Sequence, residues 1–364
     1  MSRQGRAFSV LLVVLASGCG ETVEEQDASD PRLVITADWL SGTLTLLDHD
    51  ALVAGASAET ALVDTVDLSA YAPGPLELEL TPDGALAVVT VSPGFFGGGV
   101  GGSLVGSPEV PEGGRLLVVD IASRKVVAEL ETEHTPMGIA ISPDGRTAWT
   151  ANYGDAETGR TLSQIDLASM TVVANTEVGG RPEQVTLNED GSRGALNLAS
   201  DNAIRLFDTS SGAVADPMTT ASDPSDLAFV PGTGRIAVAA SQGLKVQIFD
   251  VATGEMTAEV ATSGAFPYGV THIPGTTRVL VTGGIADANL FDIDVMTGEL
   301  VKKTPLEGGA YPLVAAVNQE GSHAFVPHPI DGMLSVFDIA GDGLRTIQVT
   351  AGDGPMYAVV QPAR

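Results

Sequence analysis

Seven prolines recur along the chain at nearly even intervals, and each begins a short apolar run that a polar turn ends. They lie about 43 residues apart, except across one longer gap, at Pro75, Pro136, Pro182, Pro224, Pro267, Pro312 and Pro355. A second series keeps the same period and ends alternating apolar stretches, at Asp48, Asp120, Asp166, Asp208, Asp250, Asp294 and Asp338. Because only strand-like segments lie inside each unit, this period predicts an all-β fold, a β-propeller of seven radially arranged sheets.

The third repeat is the clearest copy, and it predicts four antiparallel strands in each sheet, or blade. Its predicted strands cover residues 136–142, 147–152, 162–166 and 170–175. The repeat region begins at residues 32–36 with a segment that matches the second strand of the repeat. It ends at residues 355–361 with a lone segment that matches the first strand. We therefore expect the two ends to share one blade, which closes the ring and leaves no exposed sheet edges facing each other.

The third repeat resembles the YVTN β-propeller family, whose repeat reads roughly Pro-x-Gly-Ile-Ala-x-Ser-Pro-Asp-Gly and then Tyr-Val-Thr-Asn. The residues that match this pattern in register are Pro136, Gly138, Ile139, Ala140, Ser142, Pro143, Asp144, Gly145, Asn152 and Asp166. The resemblance covers residues 32–364 and weakens in the later repeats. It implies a seven-bladed propeller that acts as a binding protein of the cell surface or envelope.

The first residues predict export. Arg3 and Arg6 precede a short apolar stretch that ends in Ser17-Gly18-Cys19, as in a secretory signal. The cut site resembles a bacterial lipobox, which implies a signal peptide over residues 1–18 and lipid attachment to Cys19. An ordinary cleaved signal with an incidental cysteine remains the alternative.

Residues 19–31 are acidic and without apolar periodicity, which predicts a disordered tether before the propeller at residues 32–364. We expect the protein to be anchored by its lipid to a bacterial membrane. The glycine after the cysteine favours the outer membrane, in a periplasmic or surface-facing position.

The formal net charge is −28, from 18 Lys and Arg against 46 Asp and Glu. Such a surface repels phosphate backbones, which argues against nucleic-acid binding. We expect a monomer that contacts the membrane only through its lipid. Its expected partner is an envelope protein or a small-molecule ligand at the mouth of the central channel.

A glycine-rich insert at residues 93–113 accounts for the one long gap between the prolines. The loops that join fourth to first strands and second to third strands share one face of a propeller, so the insert belongs at the channel mouth on that face. It is either a surface loop or a lid over the channel.

Polar residues on the first strands are the next candidates for a site. The alternation in Leu76-Glu77-Leu78-Glu79-Leu80 puts the side chains of Glu77 and Glu79 on one face, roughly 6.5–7 Å apart. Other first strands add Gln184, Asp226 and Tyr357 as candidate binding residues. The two glutamates could bind a cation such as Ca²⁺ or serve as an acid/base pair; simple channel hydration, or a buried ion pair with an arginine, is the alternative. No other cofactor is expected.

His134 and Arg181 precede two of the repeated prolines and are expected at the channel mouth, whereas His272 is expected in the core. No catalytic or cofactor motif accompanies them, so the sequence favours a binding or scaffolding protein. The alternative is a hydrolase of the lactonase type, since some seven-bladed relatives open sugar lactones. In that case Glu77, Glu79, His134 and Arg181 are the candidate acid/base and oxyanion groups.

Overall fold

The repeat folds as a four-stranded antiparallel sheet, and seven such sheets surround one axis. This architecture is seen in a computed structural model that describes residues 30–93, 114–154, 160–284, 288–306, 310–341, 343–349 and 352–363. The predicted seven-bladed propeller with four antiparallel strands per blade is therefore confirmed.

The strands of the first three sheets are β1 (Leu33–Asp38), β2 (Thr43–Asp48), β3 (Leu62–Asp67), β4 (Pro75–Leu80), β5 (Leu86–Val91), β6 (Gly114–Asp120), β7 (Lys125–Thr132), β8 (Pro136–Ile141), β9 (Thr147–Asn152), β10 (Thr161–Asp166) and β11 (Thr171–Glu177). The next two sheets contain β12 (Pro182–Leu187), β13 (Arg193–Leu198), β14 (Ala203–Asp208), β15 (Met218–Thr219), β16 (Pro224–Val230), β17 (Arg235–Ala240), β18 (Lys245–Asp250) and β19 (Met256–Ala261). The remaining strands are β20 (Pro267–His272), β21 (Arg278–Gly283), β22 (Asn289–Asp294), β23 (Glu299–Pro305), β24 (Ala316–Val317), β25 (His323–His328), β26 (Met333–Asp338), β27 (Leu344–Gln348) and β28 (Pro355–Val360).

The ring closes as the sequence predicts, because the last strand joins the first three in one sheet of order β28-β1-β2-β3. Side chains strengthen this closure beyond the strand pairing. Gln361 accepts a hydrogen bond from the backbone N–H of Leu33 at 3.1 Å and donates one to the carbonyl oxygen of Gly84 at 3.1 Å. Arg32 donates from Nε to the carbonyl oxygen of Gln361 at 2.7 Å.

The recurring prolines begin the first strands, with one partial exception. Each first strand is the inner edge of its sheet, so the missing N–H of proline breaks no hydrogen bond of a central strand. In the seventh repeat, Pro312 precedes a first strand of only two residues, Ala316–Val317. There Leu313 donates one isolated hydrogen bond to the carbonyl oxygen of Pro327.

The recurring aspartates end the third strands and stabilise the turn to the fourth. Asp294, for example, accepts hydrogen bonds from the backbone N–H groups of Met296 and Thr297 at 2.8 and 2.9 Å. Asp208 accepts hydrogen bonds from the hydroxyl and backbone groups of two serines in its turn, and these bonds lower its pKa to about 2. The period of this series therefore reflects turn formation, not a site.

Two short helices interrupt the otherwise all-strand pattern between β2 and β3, where the repeat predicts strands only. They are α1 (His49–Val53) and α2 (Ala58–Ala61), which begin after the capping residues Asp48 and Ser57. Each cap side chain accepts a hydrogen bond from a backbone N–H of the first turn, which is the usual way a helix start is satisfied. A 3₁₀ turn also forms at Ser69–Tyr71 and another at Ala199–Asp201.

Apolar side chains fill the space between neighbouring blades. Ile35 and Leu46 of one sheet are buried with Leu78 and Val89 of the next in a single cluster. Among the strands and helices described, no helix is long and apolar enough to cross a membrane.

Candidate binding site in the central channel

The seven first strands surround the axis and contact one another around the ring. Alternate side chains of these strands point into the channel. The register with the second strands shows that these side chains form two rings, one above the other along the axis. The lower ring, at equivalent pairing positions, consists of Glu79, Ala140, Thr186, Ala228, Thr271, Ala316 and Val359. The upper ring, two residues earlier in each strand, consists of Glu77, Gly138, Gln184, Asp226, Gly269, Val314 and Tyr357.

The two rings enclose a cavity of about 520 Å³. All the side chains of the lower ring line it, as do the upper-ring residues other than the two glycines. The cavity reaches Pro143, Asn188 and the exposed Glu189, which belong to turns between first and second strands. It therefore opens on the face that carries these turns, which we call the turn face.

A plug of large apolar side chains closes the other end of the channel. It consists of Trp39, Leu76, Met137, Leu313 and Met356, all buried. The indole N–H of Trp39 donates to the carbonyl oxygen of Ser92 at 3.0 Å, which satisfies the one polar atom of that side chain. The plug lies on the face of the loops between fourth and first strands, which we call the loop face. The cavity is consequently a well with its opening on the turn face.

A bulge in the first strands positions the upper-ring acids. Pairing between the first and second strands shifts just after the proline in six blades, so a backbone N–H near the bulge is free for another acceptor. Glu77 accepts a hydrogen bond from the N–H of Ile139 in the next blade at 3.3 Å. Asp226 likewise accepts one from the N–H of Val270 in the next blade, at 2.7 Å.

Glu77 has a further fixed partner across the channel. The side-chain amide of Gln184 donates to its Oε2 at 2.7 Å. Gly138 lies between them and leaves the room for this contact, because a Cβ there would stand 2.6 Å from the Cα of Gln184. Burial, despite these hydrogen bonds, raises the pKa of Glu77 well above its usual range, and the nearby Asp226 adds to the rise.

The remaining acids differ in how they are held. Asp226 accepts a second hydrogen bond from the N–H of Leu227 at 2.7 Å, and burial raises its pKa to about 7. Burial also raises the pKa of Glu79 to about 7, and no hydrogen bond or ion pair to Glu79 is found among the described residues. Burial, nearby carboxylates and a hydrogen bond to Glu77 raise the pKa of Tyr357 well above its usual range.

The structure brings five of the sequence-predicted residues into one cavity, namely Glu77, Glu79, Gln184, Asp226 and Tyr357. His134 and Arg181 do not line it. The guanidinium of Arg181 lies 5.2 Å from the ring centre of Tyr153 and donates to the hydroxyl of Tyr153 at 3.2 Å, beside the plug. The hypothetical acid/base group of two glutamates, His134 and Arg181 is therefore not assembled, because the plug separates its members.

The opening also differs from the expected one. The sequence predicts a site at the loop face, beneath the insert, whereas the cavity opens on the turn face. Residues 94–113 of the insert and Cys19 lie outside the described residues.

Several cavity residues were missed by the sequence analysis. Thr186 and Thr271 are lower-ring residues, and the strand register that aligns them with Glu79 could have identified them. His272 was expected in the core, but it is half-buried and lines the cavity, with Nε2 hydrogen-bonded to the carbonyl oxygen of Thr276 at 2.9 Å. Glu183, just before Gln184, does not line the cavity, but burial raises its pKa well above its usual range.

The arrangement suits hydrogen bonding and charge recognition more than metal coordination. Within the described part of the chain, no three His, Cys, Asp or Glu side chains are grouped so that they could hold a metal ion. The predicted Ca²⁺ site at Glu77 and Glu79 thus finds no further acidic or histidine ligand arranged around it.

Fold and cavity together define a seven-bladed β-propeller whose central cavity is polar and open at one end only.

No protein-family model matches the chain, and no curated protein matches it in sequence. Among solved structures it is similar to a hydrazine synthase from Kuenenia stuttgartiensis, with 16% identity and a TM-score of 0.67 over 80% of this chain and 90% of that one. It is also similar to a protein of unknown function from Desulfotomaculum acetoxidans, with 16% identity and a TM-score of 0.70 over 91% of this chain and 99% of that one. At this identity the likeness concerns the fold alone.

Proposed function

We propose that this protein is a lipid-anchored binding protein of the bacterial cell envelope and that its ligand site is the cavity inside the propeller. One observation carries the proposal, namely the convergence of Glu77, Glu79, Gln184, Asp226 and Tyr357 on a cavity of about 520 Å³. A concave, mostly pre-formed space with a few convergent polar groups is typical of small-molecule sites.

The upper-ring groups are fixed before any ligand arrives. Glu77 and Asp226 accept backbone hydrogen bonds from neighbouring blades, and Gln184 is held against Glu77. A site whose polar groups are already oriented loses little conformational entropy on binding. The plug closes one end of the cavity, so a bound molecule contacts protein on all sides except that of the turn face.

Export and lipid attachment are proposed from the first residues of the chain. Arg3 and Arg6, the apolar stretch and Ser17-Gly18-Cys19 support a signal peptide over residues 1–18 and a lipid on Cys19. Incorporation of radiolabelled palmitate that is lost in Cys19→Ser tests this part separately.

The hydrolase alternative is not supported by a specific observation. His134 and Arg181 lie by the loop face, while Glu77 and Glu79 lie in the cavity on the other side of the plug. The acids of the cavity can bind a ligand without His134 and Arg181.

A substitution that fills the cavity tests the binding function. Ala228 occupies the lower-ring position where other blades carry Glu79, Thr271 or Val359, so a leucine fits there and extends into the cavity. Thermal unfolding is measured with a panel of small amines, polyols, sugars and carboxylic acids. We expect at least one compound to raise the Tm of the wild-type protein but not of Ala228→Leu.

The matched control is Ala174→Leu, the same change at an exposed position on the outer strand β11. It should keep the wild-type response. A panel in which every stabilising compound acts equally on Ala228→Leu and Ala174→Leu would place binding outside the cavity and contradict the proposal.

A further inference from the structure

The three acids of the two rings, Glu77, Glu79 and Asp226, are not equivalent. Glu77 accepts hydrogen bonds from Ile139, Gln184 and Tyr357, and Asp226 accepts two from backbone N–H groups, so both are partly satisfied without a ligand. Glu79 has neither a donor nor an ion pair among the described residues, although it is half-buried in the wall of the cavity. An acid left without a partner in such a place is destabilising to the protein unless something else binds it.

Nothing in the cavity wall neutralises this negative charge. None of the described residues that line the cavity is Lys or Arg, and the only lining side chain that can become cationic is His272. His272 lies at the end of its strand toward the opening, with Nε2 already hydrogen-bonded to Thr276. The complement to the site must therefore come from the ligand.

Much of the remaining wall is aliphatic, beside the lower-ring Thr186 and Thr271. Val270, Val314, Val359, Ala140 and Ala228 line the cavity between the polar groups. The cavity is far larger than one hydrated ion requires, since a water occupies about 30 Å³ in the liquid. A carbon chain in contact with these side chains would bury apolar surface, whereas an inorganic ion would leave the apolar wall exposed to water.

We infer that the cavity binds an aliphatic amine, whose ammonium group pairs with the carboxylate of Glu79 and whose carbon chain contacts the aliphatic wall. This inference rests on the proposed function, because it names the ligand class of the same cavity. An alkylammonium ion matches the missing charge and the apolar surface at once, which a metal ion or a neutral polyol does not.

Binding of such a ligand is coupled to proton release. The ammonium group needs the ionised carboxylate, whereas burial keeps Glu79 partly protonated near neutral pH. The titratable groups around it are Glu77, Asp226 and Tyr357 of the upper ring, Glu183 and Tyr268 above them, and His272 and Glu189 toward the opening. Because an alkylamine stays charged below pH of about 10, affinity should rise between pH 6 and 8.

Isothermal titration calorimetry of the full chain tests whether the cavity binds an amine. The ligands are n-pentylammonium chloride and its neutral counterpart, 1-pentanol. Salt at about 0.15 M screens general attraction to the acidic surface. Glu79→Gln is compared with Glu299→Gln, which removes the same charge from an exposed position on the outer strand β23. We expect pentylammonium to bind the wild type and Glu299→Gln equally, and to bind Glu79→Gln about tenfold or more weakly.

Each other outcome has a definite meaning. Equal affinity for 1-pentanol and pentylammonium, with both lost in Ala228→Leu, would overturn the amine inference and leave the cavity as the ligand site. Equal weakening by Glu79→Gln and Glu299→Gln would reduce the binding to general surface attraction and overturn the inference. No binding of pentylammonium to the wild type would overturn it as well, while the panel with Ala228→Leu still decides the proposed function independently.

Discussion

Replacing Glu79 with glutamine should stabilise the unliganded protein at alkaline pH and change its stability little at acid pH. Burial raises the pKa of this side chain from 4.5 to about 7. Because the folded state holds its proton to a higher pH than the unfolded state does, the stability linked to this group is fully present below pH 4.5 and is lost as the pH rises through about 7.

The size of the effect follows from that shift. At 1.36 kcal/mol for each pKa unit, a rise from 4.5 to about 7 corresponds to about 3 kcal/mol of lost stability once the pH is well above 7. Glutamine has nearly the same shape and does not ionise, so Glu79→Gln escapes this loss. For a domain of this size the gain should appear as several degrees in Tm, at about 2 °C for each kcal/mol.

Urea unfolding of wild type, Glu79→Gln and Glu299→Gln at pH 5 and pH 8 measures the difference. We expect Glu79→Gln to exceed the wild type by about 3 kcal/mol at pH 8 and by less than about 1 kcal/mol at pH 5. Glu299 is exposed on the outer strand, and its substitution should change little at either pH. A Glu79→Gln difference that does not depend on pH, or a variant less stable than wild type at pH 8, would show that Glu79 is not held in an unfavourable ionised state.

Three further predictions concern the scaffold. Gly138→Ala should lower the free energy of unfolding by about 1–3 kcal/mol in urea titrations, because the new Cβ would stand 2.6 Å from the Cα of Gln184 and 2.7 Å from a neighbouring backbone oxygen; unchanged stability would mean that the first strands are not packed this closely. Deletion of residues 355–364 removes β28 from the shared sheet and should abolish the single cooperative thermal transition, whereas a cooperative melt at the wild-type Tm would contradict the closure. Asp294→Ala removes the acceptor for two backbone N–H groups and should cost about 1 kcal/mol at neutral pH. Since a hydrogen bond from the Thr277 hydroxyl and then these two backbone bonds lower the pKa of Asp294, that difference should fade as the pH drops below the usual range of an aspartate, and a constant difference would count against the turn role.

The fold could be predicted because its determinants are local and repeated. A proline that begins each inner edge strand and an aspartate that satisfies each outer turn recur with the blade itself, so period alone predicts the number of sheets. The two end strands also predict the closure. The strand at residues 33–38 matches the second strand of the repeat, and the strand at residues 355–360 matches the first. The two short helices were not predicted, because Asp48 caps the first of them with a residue of the recurring series that begins a turn in the other blades. The cap of the second helix, Ser57, lies outside the repeat.

The site could be predicted only in part, because its location depends on contacts across the axis. Alternation within one strand correctly put Glu77 and Glu79 on the channel side. It could not show that Leu76 and Met137 meet Trp39 on the loop face and close that end, since these residues are distant in sequence. His134 and Arg181 were therefore grouped with acids from which the plug separates them.

The sheet shared by β1 and β28 has a consequence for biosynthesis. The backbone N–H of Leu33 donates to the side chain of Gln361. The sheet at the start of the ring therefore cannot be completed until nearly the whole polypeptide has been synthesised. Contacts between such distant segments form late, since a long chain must first be brought together. Emerging chains would thus expose the uncovered edge of β1 throughout synthesis, a period in which binding by a chaperone would protect them from pairing with one another.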